Sequence, residues 1–179
     1  MVTAKEILFG HKLNENVLKG PVQDFVDQVR NISYELNIVP DWLMAVIDLE
    51  TGGTFNPAIT NKLGYTGLIQ FGKVAAKEVG TTTDDLRKMT AIRQLRYVYK
   101  YLKKYSGRMN SLQDVYLAVF FPAAIGKPDG WVLQTSRLEA ERIAKWNPLF
   151  DVNKDNRIQI WEIKKKLFNR IPTKYRWIA

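Results

Sequence analysis

Twelve residues from Val39 to Glu50 (VPDWLMAVIDLE) are mostly apolar, end on a carboxylate, and run straight into Gly52 and Gly53. No other stretch constrains the chain as much. Pro40 suits the first turn of a helix, where its missing N–H costs nothing. Leu43, Val46, Ile47 and Glu50 recur at helical spacing, so the carboxylate shares a face with apolar side chains. The glycines stop the helix and leave Glu50 in its last turn. Both circumstances work against ionisation, because an apolar wall and the orphan carbonyls at a helix C-terminus each disfavour negative charge. A carboxylic acid kept protonated near neutral pH is what general-acid cleavage of a glycosidic bond requires. An arbitrary glutamate is a solvated surface residue, so a catalytic reading of this one depends on residues 51–72.

Those residues, TGGTFNPAITNKLGYTGLIQFG, make a Gly-rich turn, an Asn-Pro turn, a second Gly-rich turn and an apolar-aromatic segment. The linked elements Glu50-Thr51-Gly52, Phe55-Asn56-Pro57 and Gly64-Tyr65-Thr66-Gly67-Leu68-Ile69-Gln70 resemble the lytic transglycosylases of the goose-lysozyme-like superfamily, the SLT-type domain. That resemblance implies a lysozyme-like helical fold and a peptidoglycan substrate. It also implies that one glutamate, here Glu50, acts as acid and then as base. The acid protonates the oxygen linking N-acetylmuramic acid to N-acetylglucosamine. The carboxylate then takes the proton of the C6 hydroxyl, which closes a 1,6-anhydro ring instead of admitting water. Thr51, Tyr65, Gly67, Gln70 and Phe71 are the implied substrate-binding residues on this side. Relatives carry Ala-Tyr-Asn-Ala-Gly on a later helix, where this chain has Tyr116-Leu-Ala-Val-Phe120-Phe-Pro-Ala-Ala124. The Asn is missing there; Phe120 stands for the Tyr, and Tyr116 is offered one turn earlier.

The residues themselves leave alternatives open. Glycines at 64 and 67 permit positive φ or close backbone approach, and they equally read as ordinary turn glycines. Tyr65 and Phe71 read as sugar-stacking rings or as core. A hydrolytic muramidase or chitinase would need a second carboxylate. Asp48 diverges from Glu50 at i,i+2 spacing, Asp84 and Asp85 have no assigned place, and Asp114 fits a helix first turn.

A second motif lies later in the chain. Asp151, Asn153, Asp155, Arg157, Gln159 and Glu162 match the twelve-residue EF-hand spacing, with a backbone carbonyl offered at Arg157 and a bidentate Glu at 162. Asn156 stands where Gly is usual, and Asn is the next best residue at positive φ. The loop predicts structural Ca²⁺ of modest affinity, because Lys154 and Arg157 sit among the ligands; catalysis is expected to need no cofactor.

Helical periodicity predicts helices over about 21–37, 40–50, 72–79, 84–89, 91–104, 112–121 and 160–169. Expected caps are Thr83, Thr90 and Ser111, with Ser136-x-x-Glu139 as a capping box for a helix to about Lys145. The predicted class is mainly α, a lysozyme-like helical domain with a small β-hairpin within 51–70 and an EF-hand-like helix-loop-helix. The expected division is 1–148, with 1–20 as a lead-in, and 149–179. The 179 residues contain no cysteine, which removes disulfides and thiolate chemistry together, and their formal net charge is +9.

That charge favours an anionic partner. Nucleic acid is the default partner of a basic chain, but no nucleic-acid-binding motif is present, and the diffuse spread suits the anionic bacterial envelope; composition alone does not choose between them, and peptidoglycan is the partner that the resemblance implies. No membrane span and no secretory leader are expected, and the chain reads as a monomer. Together these readings point to a bacteriophage lysin, either an endolysin or a virion-associated protein, acting on the cell wall. The alternative from another class is a catalytically inactive wall-binding or virion structural protein.

Overall fold

The computed structural model describes residues 6–178, so the first five positions of the expected lead-in lie outside the described residues. The rest of the lead-in forms a 3-10 turn, Gly10–Lys12, and a one-turn helix α1, Glu15–Leu18. Asn14 caps α1 by accepting the N–H groups of Asn16 and Val17. Helix α2, Val22–Leu36, follows Pro21 and buries Phe25, Val26, Val29, Ile32 and Leu36. Each such side chain contributes about 1.5–3 kcal/mol by leaving water. Asn37 ends the helix in the left-handed region at φ 54°. Helix α3, Pro40–Glu50, has Pro40 in its first turn and ends on the carboxylate, with a C-terminal stop at Thr51-Gly52.

Residues 51–71 contain only isolated antiparallel bridges, Thr60 to Thr66 and Thr66 to Phe71. The small hairpin expected here is therefore a pair of tight backbone exchanges and not a strand ladder. Five left-handed residues (Gly52, Gly53, Phe55, Gly64 and Gly67) and Gln70 at φ 50° keep reversing the chain before a ladder can extend. Helices α4 (Lys73–Glu78), α5 (Thr83–Lys88) and α6 (Ala91–Leu102) complete this part. Thr82, not Thr83, caps α5: its hydroxyl accepts the Asp85 N–H and donates to the Asp85 carboxylate. Thr90 caps α6 as expected. Helix α2 packs on α3 and α6, and α4 packs on α6.

The chain divides into two compact units at Gly107 and Arg108, well before position 148 where the loop motif had placed the expected boundary. In the second unit, Ser111 caps α7, Leu112–Phe120, and Pro122 opens a 3-10 turn, Pro122–Ala124. Helix α8 covers Ala140–Trp146 and α9 covers Ile160–Arg170. Ser136 does not cap α8. Its neighbours Thr135 and Leu138 close a small bridged turn, and Glu139 is the N-cap residue without a side-chain bond. A capping box forms at α9 instead, between Gln159 and Glu162. Helix α9 packs on α7. The class is mainly α, and no helix among the described residues is long and apolar enough to cross a membrane.

Candidate active site

Helix α3 delivers Glu50 on the face that Val46 and Ile47 bury, one residue before the stop. The side chain is half-buried. Burial pushes its carboxyl up to about 7 from an ordinary value of 4.5. The cause is loss of hydration, which penalises the anion and leaves the neutral acid untouched. Glu50 makes no ion pair and no side-chain hydrogen bond among the described residues, yet its oxygens are not sealed from solvent. A neutral acid with free lone pairs and solvent access can give a proton to a ligand and take one back.

Other carboxylates nearby in sequence have structural employment. Asp48 is fully buried and accepts the Lys12 ammonium at 2.6 Å. Asp41 accepts the Leu8 N–H at 2.8 Å. The lead-in is thus tied to α3 at both ends of that helix. Asp84 pairs with Arg87 at 3.1 Å, and Asp85 belongs to the α5 cap. In the second unit Asp114 accepts the Ser111 hydroxyl and the backbone N–H groups of Asn110 and Gly126, which fastens the turn after α7 to the start of that helix.

The expected binding residues separate into two groups. Thr51 is fully buried; its hydroxyl donates to the Ile47 carbonyl (2.7 Å) and accepts the Phe55 N–H (3.0 Å), which pins the turn after Glu50. Gly67 is at φ +88°, and a Cβ there would lie 2.3 Å from Gln94 Oε1. Its missing side chain therefore makes room for Gln94. Phe71 is buried edge-on against Tyr101, with ring centroids 5.9 Å apart. Thr51, Gly67 and Phe71 thus serve packing. Gln70 is half-buried, and its amide donates to the Gly67 carbonyl at 3.1 Å. Tyr65 keeps 43% of its surface exposed and lies across Gly72, where a Cβ would meet the ring at 2.9 Å.

In the second unit, Tyr116 is buried and stacks on Phe120 (5.4 Å, 20°), and both rings meet Phe150 at 5.6 and 5.2 Å. Tyr116 is a core residue of α7, and Phe120 is half-buried. Among the described residues, open cavities of about 530 and 540 Å³ lie apart from Glu50, which lines neither. The first is lined by Gln134, Glu139 and Arg157, the second by Lys19, Thr90 and Arg96.

In loop 151–162 Asn156 takes the positive φ expected of it, and Lys154 does so as well. Lys154 and Asn156 are left-handed at φ 60° and 65°. Asp151 accepts the N–H groups of Asp155 and Asn156 (both 3.1 Å), and Asp155 accepts that of Arg157 (2.9 Å). Asn153 donates to Asp155 at 3.0 Å. Ile158 is buried, and its carbonyl accepts the Leu133 N–H at 2.8 Å. Glu162 is also buried and accepts the N–H groups of Val152, Asn153 and Gln159. Gln159 is held by Trp161 and Gly130. Among the described residues no three His, Cys, Asp or Glu side chains converge as a ready metal cluster.

Gln94 is the principal residue that the sequence motifs did not single out. It is fully buried; it accepts the Leu68 N–H (2.6 Å) and donates to the carbonyls of Pro57 (2.9 Å) and Leu86 (3.0 Å). Its signal was present, as an amide on the stripe of Ala91, Leu95 and Val98. No protein family, curated protein or solved structure matches this chain.

Proposed function

We propose that this chain is a peptidoglycan lytic transglycosylase on a lysozyme-like helical domain, with Glu50 as the sole acid and base. The observation that carries the reading is the state of that one side chain. It is held largely uncharged up to about pH 7, unpaired among the described residues, and placed at the end of an apolar helix. Glu50 protonates the bridging oxygen of the MurNAc–GlcNAc bond as it breaks. Its carboxylate then removes the C6 hydroxyl proton as that oxygen bonds to C1, so the acid is regenerated and no water is consumed. The nucleophile belongs to the substrate, so one carboxylate suffices. The employment of Asp48, Asp84, Asp85 and Asp114 in pairs and caps favours this route over a two-carboxylate hydrolase. Tyr65, with its exposed ring, is the residue best suited to stack on a sugar. The +9 charge suits an anionic envelope as the setting, and a phage lysin as the source.

Loop 151–162 is proposed to hold Ca²⁺ through Asp151, Asn153, Asp155, the Arg157 carbonyl, Gln159 and Glu162. The donors are hard oxygens, and the left-handed turns at 154 and 156 bring Asn153 and Asp155 together. A bound cation would neutralise the carboxylates and stiffen the approach to α9.

The second reading is an inactive wall-binding or virion structural protein. It is favoured by the packed Tyr116–Phe120–Phe150 cluster where relatives are expected to have cleft polar groups. Mass spectrometry of purified peptidoglycan treated with wild type and Glu50→Gln separates the readings. Anhydro ends from wild type alone support the proposal, and reducing ends indicate a hydrolase. No products from either protein favour the inactive reading.

A further inference from the structure

The last helix and the turn after it form a surface that glycan cleavage does not use. From Ile163 to Ile178 the chain has six cations (Lys164, Lys165, Lys166, Arg170, Lys174 and Arg176) and no acid. Helix α9 buries Ile160, Ile163 and Leu167. Trp161, Lys165 and Phe168 follow at i, i+4 and i+7 spacing on an adjoining strip. Lys165 lies over the Trp161 ring at 5.9 Å. Arg176, from the 3-10 segment Thr173–Ile178, lies over the Phe168 ring at 4.7 Å, which brings that segment alongside the strip. Next to it, Trp177 is 74% exposed and Phe168 is 41% exposed, although Ile171 and Ile178 on either side are buried. The segment is therefore anchored, and these two large apolar side chains are held outward.

We propose that this strip binds the surface of an anionic phospholipid bilayer. Exposed aromatic groups interleaved with cations match the headgroup layer, where the ring bodies enter the acyl boundary and the charges meet phosphates. A nucleic acid or a glycan would stack on ring faces. Here Arg176 and Lys165 lie over the faces of Phe168 and Trp161, while the Trp177 indole stays available. The charge is one-sided because the segment Ile163 to Ile178 holds six cations and no acid, and among the salt bridges of the described residues Lys164 pairs with Asp129 outside it. This inference is independent of Glu50.

The test is vesicle co-sedimentation of the full chain, using phosphatidylcholine vesicles with and without phosphatidylglycerol. Wild type is expected to bind the anionic vesicles more than about tenfold more tightly. Added salt should weaken this binding without abolishing it. Trp177→Ala, and separately Phe168→Ser, should each reduce binding severalfold. Trp177→Ala removes only an exposed ring, so its thermal melt should match wild type even if Phe168→Ser is less stable. Four results would each overturn the proposal: no binding to either vesicle, equal binding to both, complete loss in salt with no effect of Trp177→Ala, and displacement by single-stranded DNA at matched charge.

Discussion

Replacing Gly67 by Ala tests whether the loop after Glu50 is organised by an internal amide. The left-handed backbone at φ +88° penalises any side chain, by about 1–3 kcal/mol. Beyond that, the new Cβ would stand 2.3 Å from Gln94 Oε1, 2.7 Å from its Cδ and 2.8 Å from its Nε2. Gln94 must then leave, and its bonds to Leu68, Pro57 and Leu86 break in a buried setting. At about 1 kcal/mol net each, these add about 3 kcal/mol. Gly64→Ala is the internal control, because Gly64 is also left-handed at φ +83° but has nothing within 4 Å of a built Cβ. The two variants should therefore differ by about 3 kcal/mol, or roughly 6–12 °C in melting temperature for a chain of this size. Thermal and urea unfolding measure the difference. In a Gln94→Ala background the clash disappears, so Gly67→Ala should then cost only its backbone strain. Equal destabilisation of the two glycine variants, or strict additivity with Gln94→Ala, would refute the role assigned to Gln94.

The same packing has other consequences. Unfolded Glu50 titrates near 4.5 and the folded group near 7, so between those values the folded state binds more protons. Its contribution is fully present below about pH 4.5 and lost as pH rises through about 7, by up to ~3 kcal/mol. Glu50→Gln should flatten that slope in urea titrations across pH; parallel curves for the two proteins would contradict the buried-acid reading. Glycan cleavage should fall above about pH 7 as the acid form is depleted, which a pH–rate profile on purified wall would show. Lys12→Met removes a cation that pairs with the buried Asp48. Because Lys12 is 33% exposed, the expected cost is about 2–3 kcal/mol, at or below the low end for a broken buried pair. Adding Asp48→Asn should recover part of that loss in thermal melts. Millimolar Ca²⁺ should raise the melting temperature of wild type by a few degrees and leave Glu162→Gln unmoved, with calorimetric heat only for wild type. Absence of both signals in wild type would remove the calcium proposal.

The helices, several of their ends and the position of Glu50 could be read directly from the chain. Pro40 in a first turn, the Thr90 and Ser111 caps and the glycines after Glu50 act over three or four residues, which is the range that local pattern reports. The left-handed turn at Asn156 was legible for the same reason. Other features required tertiary structure. Lys12 meets Asp48 across 36 positions, and Gln94 meets Leu68 and Pro57 across 26 and 37. No local period encodes which distant polar group a buried side chain will satisfy. Thr51 and Phe71, read as ligand contacts, are buried in the fold, Gly67 makes room for the buried Gln94, and the two compact units divide at Gly107. The amino-acid sequence by itself determined where an acid could be kept neutral. Only the folded chain decided which side chains stay exposed and which hold the loop in shape, because a buried polar atom must find its partners inside the fold, as Gln94 does with Leu68, Pro57 and Leu86.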